Sequence, residues 1–276
     1  MDKLTVFGGK GYIGSRYVDL YSDCVVKDRN DYAPDSNNIL YFISTIDNYN
    51  VFTDLHLDVE TNLNTLINVL ENVKDKESTV FNFISSWFVY GNTDFPATET
   101  SYCDPKGFYS ITKRAAEQLL ISYCETFGMK YRILRLSNVV GGNDTKVSRK
   151  KNAFEYMLRQ VKNNEELKLY EGGEVYRDFI HVDDCVNAIN TVITNGELNT
   201  IYNISNGVPV KLLDVINFAK TVTNSNSPVV GIDTPHFHSV VQVKSMYLDN
   251  SKLKKLGYVP QYKIEDIITE VINKPL

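Results

Sequence analysis

The chain has 276 residues, 43% hydrophobic and 23% charged, the composition of an ordinary globular protein rather than a disordered, fibrous or disulfide-stapled one. That length suits one large α/β domain or two fused lobes. With 29 Lys and Arg against 34 Asp and Glu, the net charge of −5 speaks against a nucleic-acid partner.

No apolar run approaches the roughly 20 residues that cross a bilayer, so no membrane partner is expected. The chain enters a strand-like segment almost at once, which leaves no room for a signal peptide. The cysteines Cys24, Cys103, Cys124 and Cys185 are far apart and form no C-x-x-C pair. They read as reduced thiols of a cytoplasmic protein, with no disulfide framework and no metal site.

In chain order the apolar pattern predicts strands at 4–7, 23–28, 39–46, 80–86 and 131–136. Helices are predicted at 14–20, 62–73 and 109–127. Strands alternating with helices of this length make βαβ units and a doubly wound parallel sheet. After Gly141 the pattern loosens into shorter elements within polar, Asn-rich sequence, as in a smaller substrate-facing lobe. The expected division is residues 1–141 plus 178–204 for the sheet domain, and 142–177 plus 205–276 for the C-terminal lobe.

Between the first strand and the first helix lies Gly8-Gly9-Lys10-Gly11-Tyr12-Ile13-Gly14. Gly8 permits a tight turn, Gly11 lets backbone approach a pyrophosphate, and Gly14 lets helix and strand pack closely. The helix N-terminus adds free N–H groups for phosphate. This is a Rossmann-type dinucleotide site, with Lys10, Tyr12 and Ile13 in its loop. Asp28 ends the second strand, where a carboxylate accepts from an adenine-ribose hydroxyl and favours NAD. Lys10 and Arg29 are cations suited to the 2′-phosphate of NADP. NAD is the expected cofactor and NADP the alternative.

Tyr109 and Lys113 are one turn apart on a strong helix pattern. Ser86 ends the strand at 80–86 and precedes Val89-Tyr90-Gly91. Strand carboxyl ends carry the ligand in such sheets, so Ser86 faces the same crevice as the glycine loop.

Together these features resemble the extended short-chain dehydrogenase/reductase family, and within it the NAD-dependent nucleotide-sugar epimerase/dehydratase group. Further matches are Glu60-Thr61-Asn62, the run from Leu134 to Gly141, Arg177-Asp178-Phe179-Ile180-His181-Val182-Asp183-Asp184, and Leu248-Asp249-Asn250-Ser251-Lys252-Leu253. The resemblance implies that Tyr109 is the catalytic acid and base, Ser86 its hydrogen-bond partner and Lys113 a ligand of the nicotinamide ribose. Asn62 is carried over as a cofactor residue. Ser44 and Thr45 stand where relatives place small residues beside the cofactor. Asn138 and Arg177 are implied to hold the diphosphate of a nucleotide-sugar, and a homodimer is implied as well. Lys113 and the positive nicotinamide ring are together expected to bring the Tyr109 phenol, near 10 when free, toward working pH.

Sugar 4,6-dehydratases of this group carry an Asp-Glu pair just after the Ser/Thr. Trp87 and Phe88 stand there instead, which excludes that elimination. Two enzymes remain. A 4-epimerase oxidises the sugar at C4 and returns the hydride to the other face. A 4-ketoreductase performs the second half alone with NADPH. The 4-epimerase is the preferred reading, and a non-catalytic dinucleotide sensor is a third. Trp87 and Phe88 narrow the sugar pocket in this reading, with core packing as the alternative, and Trp87 is assigned to the substrate.

Two departures stand out. Only residues 29–38 join the second strand to the third, where relatives have a helix, a strand and another helix. The shortened sheet then ends at its second strand, and Arg29 or Tyr32 covers the adenine. Near the C-terminus a nucleotide-gripping Arg is missing. His236, His238 and Lys244 occupy the region, and His238 is assigned to the substrate. His181 is expected to be structural and Asp183 a helix N-cap.

Overall fold

The computed structural model describes residues 3–142 and 152–274. Met1, Asp2, residues 143–151 of the expected second lobe, and residues 275–276 lie outside the described residues.

The first half runs β1 (Leu4–Phe7), α1 (Tyr12–Leu20), β2 (Cys24–Lys27), β3 (Asn38–Tyr41), α2 (Leu57–Val59), a π turn (Glu60–Asn64) and α3 (Thr65–Glu71). It continues with β4 (Val80–Ser86), α4 (Phe108–Phe127), β5 (Lys130–Leu136) and β6 (Asn138–Val140). The second half adds α5 (Ala153–Lys162), β7 (Leu167–Tyr170), β8 (Tyr176–Arg177), β9 (Phe179–His181), α6 (Val182–Asn195) and β10 (Thr200–Ile204). After these come β11 (Val210–Lys211), α7 (Leu212–Thr223), β12 (Val229–Ile232), α8 (His236–Val241), α9 (Ser251–Lys254) and α10 (Ile264–Asn273).

Six parallel strands form one sheet in the order β10-β5-β4-β3-β1-β2. Its strands are buried on both faces, which is why they read as nearly continuous apolar runs. Successive residues point to opposite layers. Val6, Leu40, Ile84 and Leu134 join one core with Tyr17 of α1 and Ile189 of α6. Phe7, Ile39, Phe83 and Ile133 join the other with Val69 of α3 and Leu120 of α4. The α/β, doubly wound expectation holds. A third core packs α5, α7 and α10 together through Leu158, Ile216 and Ile267.

The sheet ends at β2, as the short 29–38 segment requires. Lys27 ties that segment back through Asp31 at 2.7 Å and Asp35 at 3.1 Å. Thr5 of β1 accepts the Asp35 N–H at 3.1 Å and meets Ser36 at 2.9 Å. The segment thus crosses β1 with its backbone fastened.

Three sequence expectations need correction. The third strand stops at Tyr41 and not at 46, because the following chain is drawn off the sheet. Asn62 Oδ1 accepts from the Thr45 N–H at 2.9 Å and from Ser44 Oγ at 3.0 Å. The helix expected at 62–73 begins upstream at Leu57 and carries a π turn around Asn62, a feature often found at functional sites. The N-cap of α6 is His181, not Asp183. Its Nδ1 accepts the Asp183 N–H at 3.2 Å, and the Asp183 carboxylate pairs with Arg16. His181 is otherwise the structural residue expected, with Nε2 on Glu270 at 2.9 Å and its ring on Tyr262.

Asp178, just before β9, ties together the chain after β10 and the segment at Leu248. It is fully buried and accepts from the N–H groups of Asn206, Gly207 and Leu248, each at 3.2 Å. Burial pushes its carboxyl up to about 6, against about 3.9 for a free Asp. The folded chain therefore holds this proton more tightly than the unfolded chain. That contribution to stability is complete below about pH 4 and is lost as pH rises through 6. Asp178→Asn removes the titration. Urea unfolding of the two proteins should show the stability difference moving in the variant's favour by up to about 3 kcal/mol between pH 4 and 7. A difference independent of pH would contradict this reading of Asp178.

Candidate active site

A cleft of about 1720 Å³ runs along the carboxyl ends of the sheet strands. One end is the glycine loop. Gly8 has φ +78°, and a Cβ there would lie 3.0 Å from the Ile43 nitrogen. A Cβ on Gly14 would lie 2.4 Å from the Gly8 oxygen. Only glycine fits either position. The N-cap of α1 is Gly11, with no side-chain cap and no acidic residue in the first turn. The first amides of α1 thus face an anion site with no built-in competitor. This cradle fits the pyrophosphate of a dinucleotide.

Beyond the cradle, Lys10 pairs with Asp28, and both side chains are about three-quarters exposed, at 76% and 74%. Arg29 and Tyr32 line the same wall. The carboxylate expected at the ribose is therefore already held by the cation that argued for NADP.

The middle of the cleft is made where β4 meets α4. Tyr109 stands in the first turn of α4 and is 7% exposed. Burial pushes its phenol up to about 12, and the Asp58 and Asp47 carboxylates push the same way. The Ser86 and Ser44 hydroxyls oppose them. Lys113 donates to the Ile84 carbonyl at 2.6 Å and rests over the Phe83 ring at 4.2 Å. Burial draws its ammonium down to about 7, with Glu117 resisting. Lys113 by itself does not bring the phenol down; the expectation also counted the charge of the nicotinamide ring. The amine is half neutral near pH 7 and is bonded to the strand, while Tyr109 remains a phenol.

Behind them lies a buried network that sequence reading missed. Glu117 is fully buried. It accepts from Ser85 at 2.6 Å, from Arg135 at 3.0 and 2.8 Å, and from Arg114 at 2.7 Å. The signal was present, since Tyr109, Lys113 and Glu117 form one stripe at four-residue spacing. Asp47 and Asp58 were missed too. Asp47 lines the cleft, and Asp58 lies behind it, holding Thr45 Oγ1 at 2.5 Å.

At the other end Arg177 finds only carbonyl oxygens among the described residues: Tyr176 and Lys244 at 2.8 Å and Val243 at 3.4 Å. Burial alone draws it down to about 10. A half-buried guanidinium with no carboxylate among the described residues keeps its charge available to an anion in the cleft. Asn138 bonds the Asp178 carbonyl at 2.9 Å beside it. His238 meets Tyr49 across the cleft mouth at 3.1 Å; His236 lies outside the lining.

Gly8, Lys10, Gly11, Tyr12, Ile13, Gly14, Asp28, Arg29, Ser44, Thr45, Ser86, Trp87, Tyr109, Lys113, Asn138, Arg177 and His238 all line this one cleft. Asn62 does not. It is buried beneath it and shapes the 44–45 loop, with its amide on Thr45 and Thr112 Oγ1 at 2.9 Å each. Trp87 is mostly core, 5% exposed among Val89, Met246 and Leu248. Among the described residues no His, Cys, Asp or Glu cluster could hold a metal. No described helix is long and apolar enough to cross a membrane.

Glu117→Ala leaves Arg135 buried and unpaired, which should cost about 3–5 kcal/mol in urea unfolding. Arg114→Ala removes a partly exposed partner and should cost under about 1 kcal/mol. Equal losses would mean that Glu117 is not held mainly by Arg135.

The family model for the NAD dependent epimerase/dehydratase family matches residues 50–205. A curated relative, the low-salt glycan biosynthesis protein Agl12 of Haloferax volcanii, is 27% identical across 96% of both chains. The UDP-glucose 4-epimerase of Thermotoga maritima, solved with UDP-glucose, superposes at a TM-score of 0.84 with 20% identity, covering 98% of this chain and 97% of its own. RMD of Pseudomonas aeruginosa, complexed with NADPH, gives 0.84 and 20%, covering 99% and 98%. A family match across more than half of the chain, on this sheet and this cleft, makes the protein a member of the NAD-dependent epimerase/dehydratase family.

Proposed function

We propose that the protein is a nucleotide-sugar 4-epimerase that uses NAD and works through Tyr109. The observation that carries the reading is the convergence of Ser86, Tyr109 and Lys113 midway between a phosphate cradle and the carboxylate-free Arg177. A dinucleotide at one end and a sugar diphosphate at the other would meet at Tyr109. NAD, when bound, supplies the acceptor and donor of hydride and a positive ring. Tyr109 takes the 4-hydroxyl proton and later returns it. Ser86 orients that hydroxyl, Lys113 holds the nicotinamide ribose, and Arg177 with Asn138 holds the diphosphate. Trp87 and His238 border the substrate. The proposal includes a homodimer acting in the cytoplasm.

One observation favours a second reading. Lys10 already occupies Asp28, and Arg29 stands beside it. Such a site suits the 2′-phosphate of NADPH and a nucleotide-4-keto-sugar reductase.

Denaturing the purified protein and identifying the dinucleotide released separates the two. Oxidised NAD, with sugar interconversion needing no added cofactor, is the expected result. An empty protein that consumes NADPH one-for-one with a 4-keto sugar would establish the reductase. In either case Tyr109→Phe should lower turnover by about 10²–10⁴-fold while leaving dinucleotide binding intact. An unaffected rate would mean that Tyr109 is not the acid and base, whereas no turnover in either protein with dinucleotide binding intact would leave the sensor reading.

The adenine wall gives a further test. Replacing Arg29 and Tyr32 together by Ala removes a guanidinium plane and a ring, each able to stack on a base for about 1–3 kcal/mol. Dinucleotide affinity measured by calorimetry should fall at least about tenfold. Unchanged affinity would place the adenine elsewhere.

A further inference from the structure

The reacting end of the cleft is asymmetric. On one side stands Phe88, two residues beyond Ser86, with its N–H on Ser86 Oγ at 3.3 Å. Its ring meets the Tyr109 ring edge-on, 5.8 Å between centroids at 81°. Trp87 stacks on Phe88 at 3.9 Å and 21° and is itself sealed into a core with Val243, Met246 and Leu248. Phe88 cannot swing away without losing that stacking, so Tyr109 works beside a fixed apolar wall.

Among the described residues, the charges that act on Tyr109 are the Asp58 and Asp47 carboxylates. Asp47 lines the cleft, and Asp58 is buried behind Thr45. Of the lining cations, Lys113 is tied to the Ile84 carbonyl, and Lys10 and Arg29 belong to the glycine-loop end. Arg177 is held on the 243–244 backbone. The remaining lining lysines are paired, Lys27 with Asp31 and Asp35, Lys168 with Glu166 and Lys244 with Glu171, so among the described Lys and Arg residues none is placed to meet a carboxylate beside Tyr109.

A sugar carbon whose hydroxyl reaches Tyr109 has two ring neighbours, one bearing a hydroxyl and the other an exocyclic carbon. Ser44, Thr45 and Asp47 can take the hydroxyl side. Phe88 offers the exocyclic carbon no hydrogen bond. A hydroxymethyl group there would bury an unpaired hydroxyl, and a carboxylate would meet both an apolar wall and the charge of Asp47 and Asp58.

We propose that the sugar taken by this cleft is an uncharged 6-deoxyhexose, its exocyclic carbon a methyl group, and that Phe88 selects it. The proposal rests on the nucleotide-sugar reading and names the sugar class within it.

The test compares 6-deoxyglucose, glucose and glucuronate, each linked to UDP and to dTDP. Binding is read by calorimetry and turnover by kcat/KM, on wild type, Phe88→Ser and Phe88→Leu. Wild type should favour 6-deoxyglucose over glucose by about 10–100-fold and should not use glucuronate. Phe88→Ser should bring the first two within a few fold, while Phe88→Leu, which restores apolar bulk, keeps the preference. A wild-type preference for glucose or glucuronate, or a ratio unmoved by Phe88→Ser, overturns the proposal. Tighter binding of the 6-deoxy sugars without turnover supports it while refuting the 4-epimerase. Absence of binding by all six compounds overturns both.

Discussion

The cleft depends on the last residues of β4 and their grip on α4. The side chains of Phe83 and Ser85 share the face toward the helix. Phe83 lies under Lys113, Ser85 donates to Glu117, and the Ile84 carbonyl accepts from Lys113. Ser86 ends the row facing Tyr109. Three turns of helix are thus keyed to four residues of strand. A helix packed by apolar contact alone can slide or rotate a little at small cost, whereas a chain of directional bonds fixes one register. Buried ion pairs seldom add net stability. What this one gives is placement, since a small error at Tyr109 would separate it from Ser86.

The same network reaches the opposite end of the cleft. Arg135, held by Glu117, lies over the Tyr90 ring at 4.7 Å, and Tyr90 donates to Asn203 at 2.6 Å. Asn203 holds the carbonyls of Ala97 and Asp249. The neighbouring Leu248 N–H goes to Asp178, whose sequence neighbour Arg177 sits on the 243–244 carbonyls. Tyr109 and Arg177 therefore belong to one bonded frame. That suits chemistry in which one end of a ligand is held while the other reacts, because the span between the two is set by the protein.

Much of this was legible in the sequence because local rules decided it. The parallel strands are buried on both faces and so announce themselves as apolar runs. The glycine spacing reports its own geometry. The 29–38 segment is too short for another helix–strand–helix, so β2 had to be an edge. The misses share a different cause. The apolar run through 46 looks like strand throughout, and only Asn62, arriving from another element, ends it at Tyr41. Asp183 is the better N-cap by residue type, but Arg16 claims its carboxylate. The Glu117 network joins residues 18 and 32 positions apart, and no periodicity connects Glu117 to Arg135 or Ser85. Asp47 and Asp58 matter through their distance from Tyr109 in space, which the chain order conceals.

The electrostatics of the bare cleft carry one more consequence. With the phenol near 12 and the ammonium near 7, the residue proposed as base keeps its proton, while the residue proposed to assist it is losing its charge. Burial raises one and lowers the other, so deeper packing alone cannot improve the pair. An added positive charge would favour phenolate but further disfavour Lys113. Negative charge would do the reverse. The change that serves both is mutual approach, with Lys113 leaving the Ile84 carbonyl for a partner nearer Tyr109, because phenolate and ammonium then stabilise each other. Lys113 is held by one carbonyl and one ring face, with no carboxylate bonded to it among the described residues. Mutual approach would have to exchange that buried 2.6 Å bond for one to the phenolate.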